Sequence, residues 1–126
     1  MVKNILNKHF PWSYSVVLYI IAMLGDWGSS FVGNYVPGIY ESNPLTRDAN
    51  YHFVFRKAIP LELIFIFFLF AFTWSMNWVF KHFNAPRLGA WLSAGFIGYL
   101  GLNRLIEAVI PNIYLILVYT YIQAHH

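Results

Sequence analysis

Long apolar stretches with almost no charge are the feature that most constrains the fold of this sequence. The run from Trp12 to about Gly33 contains one charged residue, Asp26, and the run from Ala58 to Phe80 contains one, Glu62. About 20 helical residues cross the roughly 30 Å hydrocarbon core of a bilayer. Each run therefore predicts a transmembrane helix, at about 12–33 and 58–80.

The last third of the chain predicts one more full span and a short segment. A third apolar stretch covers about 88–109, and a fourth covers about 112–125. One helix from Leu88 to His126 would be about 58 Å long, well beyond the bilayer, so we expect a turn or a sharp bend near Pro111. The predicted fold is all-α: residues 1–126 form a single integral membrane helical bundle with three full transmembrane helices and a short fourth.

Composition agrees with a membrane protein and excludes several kinds of site. Only 10% of the residues are charged, whereas soluble proteins have about 25%. The eight Lys and Arg residues are scattered, which argues against nucleic acid as a partner. There is no cysteine, so disulfides, thiolate catalysis and cysteine metal sites are excluded. No nucleophile motif or helical His pair is present, and we predict no catalytic residue, no metal centre and no cofactor, apart from a cation that the acids could bind.

The basic residues predict an orientation. The eight Lys and Arg residues divide equally, with Lys3, Lys8, Lys81 and Arg87 on one side of the predicted topology and four on the other, which are Arg47, Arg56, Lys57 and Arg104. The acidic residues all lie on or toward the second side, and Lys3 and Lys8 outnumber Arg47 in the near flanks of the first helix. Cytoplasmic loops of membrane proteins are enriched in Lys and Arg. We therefore expect the N-terminus, the 81–87 loop and the C-terminus to be cytoplasmic, and the polar loop at 34–57 to lie outside.

Polar residues of three predicted helices and the 34–57 loop meet at one level of the bundle. By helical rise, Asp26 lies about 21 Å and Asn103 about 22 Å from the inner ends of their helices. A charge facing lipid costs several kcal/mol, so these side chains should point inward and find partners. The predicted polar layer contains Asp26, Ser30, Glu41, Asn43, Arg56, Lys57, Glu62, Asn103, Arg104 and Glu107.

Two interpretations of this layer stay open. In the first, Arg56, Lys57 and Arg104 neutralise the acids in a structural network that fixes the loop to the bundle. In the second, the carboxylate and amide oxygens bind a cation, a proton or a small polar solute.

Part of the layer follows a recognisable pattern. Residues 18–103 resemble a family of small prokaryotic multi-helix membrane proteins of unassigned activity, which have Asp-x-x-x-Ser/Thr in the first helix, then Glu-x-Asn-Pro, and then a Lys before the next helix. The matching residues are Asp26, Ser30, Glu41, Asn43, Pro44 and Lys57. The resemblance implies a multi-helix membrane fold and no particular activity.

Two further patterns concern helix contacts. Small residues recur every four positions in the first and third helices, which lets helix backbones approach closely; they are Gly25, Ser29, Gly33, Ala90, Ala94 and Gly98. The second helix carries aromatic residues on nearly all sides, so it should contact lipid or another protein.

These features predict a small, non-catalytic integral membrane subunit of a larger membrane protein complex, for example a respiratory or membrane monooxygenase assembly. Its partners would be the lipid bilayer and other membrane subunits, the latter through the aromatic second helix. The alternative is a stand-alone membrane protein that binds or transports a cation, a proton or a small polar solute through the outer polar layer.

Overall fold

The computed structural model describes residues 12–125, and their regular secondary structure is helical. Helix α1 is Trp12–Gly33, α2 is Phe55–His82 and α3 is Pro86–Arg104; a π-helical segment, Leu105–Val109, leads into α4, Ile110–Ala124. Three helical stretches are long and apolar enough to span a membrane, namely α1, α2 and the continuous stretch Pro86–Ala124. Helix α2 begins three residues earlier than predicted. The N-terminal residues 1–11, with Lys3 and Lys8, and the terminal His126 lie outside the described residues.

The continuous stretch lies between the other two helices. Residue numbers increase in the same direction along its contact with α1, from Ser15 against Gly98 to Gly25 against Val109. Helices α1 and α3 are therefore parallel. Helix α2 is antiparallel to α3, because Phe80 contacts Gly89 near one end and Glu62 contacts Arg104 near the other. A tight turn at 83–85 connects them, with Asn84 at a φ of 60°.

The turn expected near Pro111 is absent, and the helical backbone continues through this proline. Val109 and Ile110 both have right-handed helical dihedrals. A proline ring clashes with the carbonyl four residues earlier, which here belongs to Glu107 inside the π-helical segment. The wider π-turn, with Ile110 N–H donating to the Leu105 carbonyl, accommodates the ring without ending the helix. The predicted short fourth helix is therefore the last part of one continuous helical stretch, Pro86–Ala124.

Continuity through Pro111 changes the expected position of the C-terminus. Helix α4 extends toward the 34–54 loop, where the Tyr119 ring lies 2.9 Å from the position that a Cβ on Gly38 would occupy. Gly38 has a φ of 91°, a left-handed backbone conformation that favours glycine. The close approach of Tyr119 also leaves no room for a side chain at this position. The described end of the chain thus lies at the loop end of the bundle, opposite the turn at 83–85. The expectation that both termini share one face depended on the missing turn.

Most of the apolar surface faces outward. Phe67 and Phe70 on α2 are 68% and 70% exposed, and few residues of the three spans are buried within the protein. Exposed apolar patches on this scale mark surfaces that contact other proteins or a membrane. This surface suits a chain that is surrounded by lipid or by other membrane helices.

Candidate functional site

Arg104 joins the three helices through two ion pairs. Its Nε donates to Asp26 Oδ2 on α1 at 2.8 Å, and its Nη1 donates to Glu62 Oε1 on α2 at 2.6 Å. The Tyr19 hydroxyl donates to the same Glu62 oxygen at 2.7 Å. The side chains of Asp26, Glu62 and Arg104 are at most 24% exposed. We call these four residues the Arg104 cluster, and its two acids and one base give it a formal charge of −1.

The cluster lies in the wall of a cavity of about 600 Å³. The cavity lies between α1 and α2. Helix α3 and the π-helical segment form a third side, and the 34–54 loop completes the wall. Four carboxylates line it, those of Asp26, Glu41, Glu62 and Glu107, and we call it the carboxylate cavity. Arg104 is the one Lys or Arg side chain in its lining, so the ionisable groups give a formal charge of −4 + 1 = −3.

Eight of the ten residues of the predicted polar layer line this cavity; they are Asp26, Ser30, Glu41, Asn43, Glu62, Asn103, Arg104 and Glu107. Arg56 and Lys57 do not. Both are exposed, and the Lys57 ammonium donates to the Arg47 carbonyl at 2.8 Å. At 100° per residue they lie on other faces of α2 than Glu62, which explains why they cannot neutralise it. Within residues 14–125, Arg104 alone makes ion pairs with the predicted acids.

Hydrogen bonds within the loop fix its conformation. The Asn34 side chain pairs with the backbone of Phe53 in both directions, with each distance 2.8 Å, so the start and end of the loop are joined. The Asn43 carbonyl oxygen Oδ1 accepts from Leu45 N–H at 3.0 Å, and Glu41 Oε1 accepts from Asn43 N–H at 3.1 Å. Asn43 therefore stabilises the turn around Pro44 with its side chain and orients the Glu41 carboxylate with its N–H group.

Asp48 stabilises the far part of the loop. Its Oδ1 accepts from the backbone N–H groups of Asn50, at 2.8 Å, and His52, at 3.0 Å. The hydrogen bond from His52 is the main cause that lowers the pKa of Asp48 below its usual value, because it favours the ionised carboxylate. Asp48 does not line the carboxylate cavity, so its role is local.

A second cavity of about 170 Å³ adjoins the first, since Ser30 and Glu41 line both. Asn112 of α4 donates there to Ser29 Oγ at 3.0 Å and to Ser30 Oγ at 3.3 Å. Sequence reasoning missed Asn112 because it was assigned to a separate fourth helix. It also missed Tyr19, although Tyr19 precedes Asp26 by seven residues, or two helical turns, and so shares its face of α1.

The small-residue positions have mixed surroundings. Gly25 and Gly98 lie at the α1 contact with the long helix, and Ala94 is buried, whereas Gly33 faces Ile39 of the loop. Ser29 bonds to the Asp26 carbonyl, and Ala90 is partly buried. The closest approach to the backbone of another helix is at Gly101, outside the predicted set, where a Cβ would lie 3.0 Å from the backbone of Tyr19.

Comparison with family models, with curated proteins and with solved structures gave no match. The resemblance to the Asp-x-x-x-Ser and Glu-x-Asn-Pro pattern therefore stays a prediction. Function has to be argued from the site itself.

Proposed function

We propose that this protein is an integral membrane protein that binds a small organic cation in the carboxylate cavity. The observation that carries the proposal is the excess of acid over base in the lining: four carboxylates and one guanidinium. Asp26 and Glu62 share the charge of Arg104, which leaves Glu41 and Glu107 to attract a positive group. In surroundings of low dielectric constant such an excess favours a cationic ligand.

The size of the cavity favours an organic cation over a metal ion. A volume of about 600 Å³ is within the range of small-molecule sites, roughly 300–1,000 Å³. Divalent cations need several oxygen ligands within about 2.6 Å of one point. Among the described residues, no group of three His, Cys, Asp or Glu side chains is placed to hold a metal ion.

Aromatic rings support the same ligand class. Trp27 and Phe53 line the cavity together with Tyr19 and Phe65. Rings within about 6 Å of an ammonium group attract it through their negative faces. Amide oxygens of Asn43 and Asn103 add hydrogen-bond acceptors for N–H groups.

Calorimetry on the purified protein in detergent tests this proposal, with choline and ethanolamine as probe cations and acetate as the anionic control. We expect heat of binding for at least one of the two cations and none for acetate. Glu107→Gln should weaken binding about tenfold or more, because a hydrogen bond to a charged group contributes about 1.5 kcal/mol or more. Asp48→Asn removes the same charge outside the cavity and should leave binding unchanged. Failure of both cations to bind the wild-type protein would overturn the proposal.

A second candidate function is that of a non-catalytic subunit of a larger membrane complex. The observation that favours it is the exposure of large aromatic side chains along α2, including Phe67, Phe68, Phe70 and Trp74 at 63–70%. Aromatic residues are enriched in protein interfaces. Purification in mild detergent distinguishes the two, since a subunit should elute with larger chains and a stand-alone binder should elute alone or with copies of itself.

The charge distribution supports an orientation for either function. Lys81 and Arg87 flank the turn at 83–85, and we propose that this turn and the N-terminus are cytoplasmic. The 34–54 loop and the C-terminal end of α4 would then lie outside. In that orientation the carboxylate cavity is in the outer half of the bundle.

A further inference from the structure

We propose that the second cavity is a subsite for a hydroxyl group and that the ligand is therefore an amino alcohol. Its ammonium group lies in the carboxylate cavity, and its hydroxyl group lies in the second cavity. This inference rests on the proposed function, because it names the class of cation that the carboxylate cavity binds.

The two cavities adjoin, and their linings differ in charge. Ser30 and Glu41 line both, so a ligand beside these two residues can extend from one cavity into the other. Among the residues that line the second cavity, Glu41 is the one Asp, Glu, Lys, Arg or His. The other polar side chains there are neutral: Ser29, Ser30, Asn34, Tyr40, Ser42 and Asn112. A ligand that occupies both cavities is therefore matched best when it is positive at one end and uncharged but polar at the other.

The size of the second cavity indicates a subsite and not a separate site. Its volume of about 170 Å³ is below the range of small-molecule sites, roughly 300–1,000 Å³. The side chains of Ile39, Leu115 and Ile116 form an apolar part of its lining. This part suits the methylene groups of a short carbon chain.

Hydrogen bonds fix the orientation of the Asn112 amide. The Ser29 hydroxyl donates to the Asp26 carbonyl at 3.1 Å, so the Ser29 oxygen can only accept from Asn112. Asn112 Nδ2 donates to Ser29 Oγ at 3.0 Å and to Ser30 Oγ at 3.3 Å, which uses both of its N–H bonds. The Asn112 Oδ1 oxygen is thus left as a hydrogen-bond acceptor on a residue that lines the second cavity.

Ser30 provides the complementary donor. Its oxygen accepts from Asn112, and its O–H group donates to no other group in the described part of the chain. A ligand hydroxyl can both donate and accept. Because Ser30 and Asn112 are themselves in hydrogen-bond contact, one hydroxyl group can accept from the Ser30 O–H group and donate to Asn112 Oδ1.

Other ligand end groups match this lining less well. A carboxylate or a phosphate would lie beside Glu41 and be repelled by it. A second ammonium group only donates hydrogen bonds, so it leaves the Ser30 O–H group unused. A methyl group leaves both Ser30 and Asn112 without a partner, which costs free energy at a site away from water.

Calorimetry on the full-length protein in detergent, with matched pairs of amines, tests this inference. The probes are ethanolamine, aminopropanol and aminobutanol, and each is compared with the alkylamine that lacks the hydroxyl group. At least one amino alcohol should bind about tenfold more tightly than its alkylamine, because two ordinary hydrogen bonds together give about that factor. Apolar burial alone predicts the opposite order, since the alkylamine is the more apolar molecule.

Two variants test the two hydrogen-bonding groups separately. Ser30→Ala and Asn112→Leu should each abolish the preference for the amino alcohol and leave the affinity for the alkylamine within about twofold, because the carboxylates remain. Retained alkylamine binding also shows that the variant is folded. Ser75→Ala, at an exposed position of α2, is the matched control for Ser30→Ala and should keep the preference.

The possible results separate this inference from the proposed function. Equal affinity of every amino alcohol and its alkylamine would overturn the inference alone, because the cations still bind. Tighter binding of diaminobutane than of aminobutanol, or a preference that survives in both variants, would do the same. Absence of binding by all of these amines and by choline would overturn the proposed function, and this inference with it. The wild-type comparison decides even where a variant does not fold.

Discussion

Nη1 of Arg104 on α3 lies 2.6 Å from Oε1 of Glu62 on α2, and the same guanidinium binds Asp26 on α1. One side chain therefore connects the three long apolar helices, and the three charged side chains involved are at most 24% exposed. Removal of one partner from a buried ion pair leaves an uncompensated charge, which is more costly than removal of the whole pair.

Replacement of Arg104 by Gln should destabilise the bundle strongly. Asp26 and Glu62 would then face each other without a counter-charge, at a cost of about 3 kcal/mol or more. Unfolding by sodium dodecyl sulfate in mixed micelles measures the change. The triple variant Asp26→Asn, Glu62→Gln, Arg104→Gln removes all three charges together and should recover most of the lost stability. Equal stability of Arg104→Gln and wild type would show that the cluster contributes nothing.

A glycine pair on α3 tests how closely the helices approach. A Cβ on Gly101 would lie 3.0 Å from the backbone N and Cα of Tyr19, whereas a Cβ on Gly95 would meet nothing within 4 Å. Gly101→Ala should lower the free energy of unfolding by about 1–3 kcal/mol, because backbone cannot move aside easily. Gly95→Ala should be neutral or stabilising by up to about 1 kcal/mol, because alanine is the better helix former. The same detergent titration compares them, and equal effects would contradict the close approach.

The sequence predicted an all-helical chain with three helices long and apolar enough to span a membrane, for identifiable reasons. Apolar runs of bilayer length leave few alternatives, and helical rise alone places Asp26 and Asn103 at one level. It could not predict the path of the chain beyond Arg104. Proline usually ends or bends a helix, and nothing in the sequence shows that a π-turn would absorb the ring of Pro111. The position of the C-terminus and the contact between Asn112 and Ser29 both depend on that one local conformation.

The pairing partners within the layer could be predicted only in part. Helical spacing places Arg56 and Lys57 on other faces of α2 than Glu62, so the sequence contained the signal that excludes them as its counter-charges. The pairing of Arg104 on α3 with Asp26 and Glu62 depends on how the three helices pack, which the sequence does not show.

Asp48 gives a prediction about pH. Hydrogen bonds from His52 and Asn50 favour its ionised form, so its pKa in the folded protein is below the ordinary value of 3.8. A depressed pKa means that the carboxylate stabilises the loop fully above the unfolded-state pKa and loses that contribution as the pH falls through the folded-state pKa. Carbon NMR of the Asp48 carboxyl should therefore show a midpoint below 3.8, and a midpoint at or above that value would contradict the turn.

Cysteine labelling tests the continuous helix through Pro111. The sequence contains no cysteine, so single-cysteine variants at Asn50, Phe83 and Gln123 can be labelled with a membrane-impermeant maleimide without background. With three spans, Asn50 and Gln123 lie on one face of the membrane and Phe83 lies on the other, because two crossings separate Asn50 from Gln123 and one crossing separates Asn50 from Phe83. We expect Asn50→Cys and Gln123→Cys to react from the same side and Phe83→Cys only after the membrane is permeabilised, or the reverse. If Gln123→Cys reacted together with Phe83→Cys, the chain would have to turn back near Pro111, and the contact between Tyr119 and Gly38 could not exist.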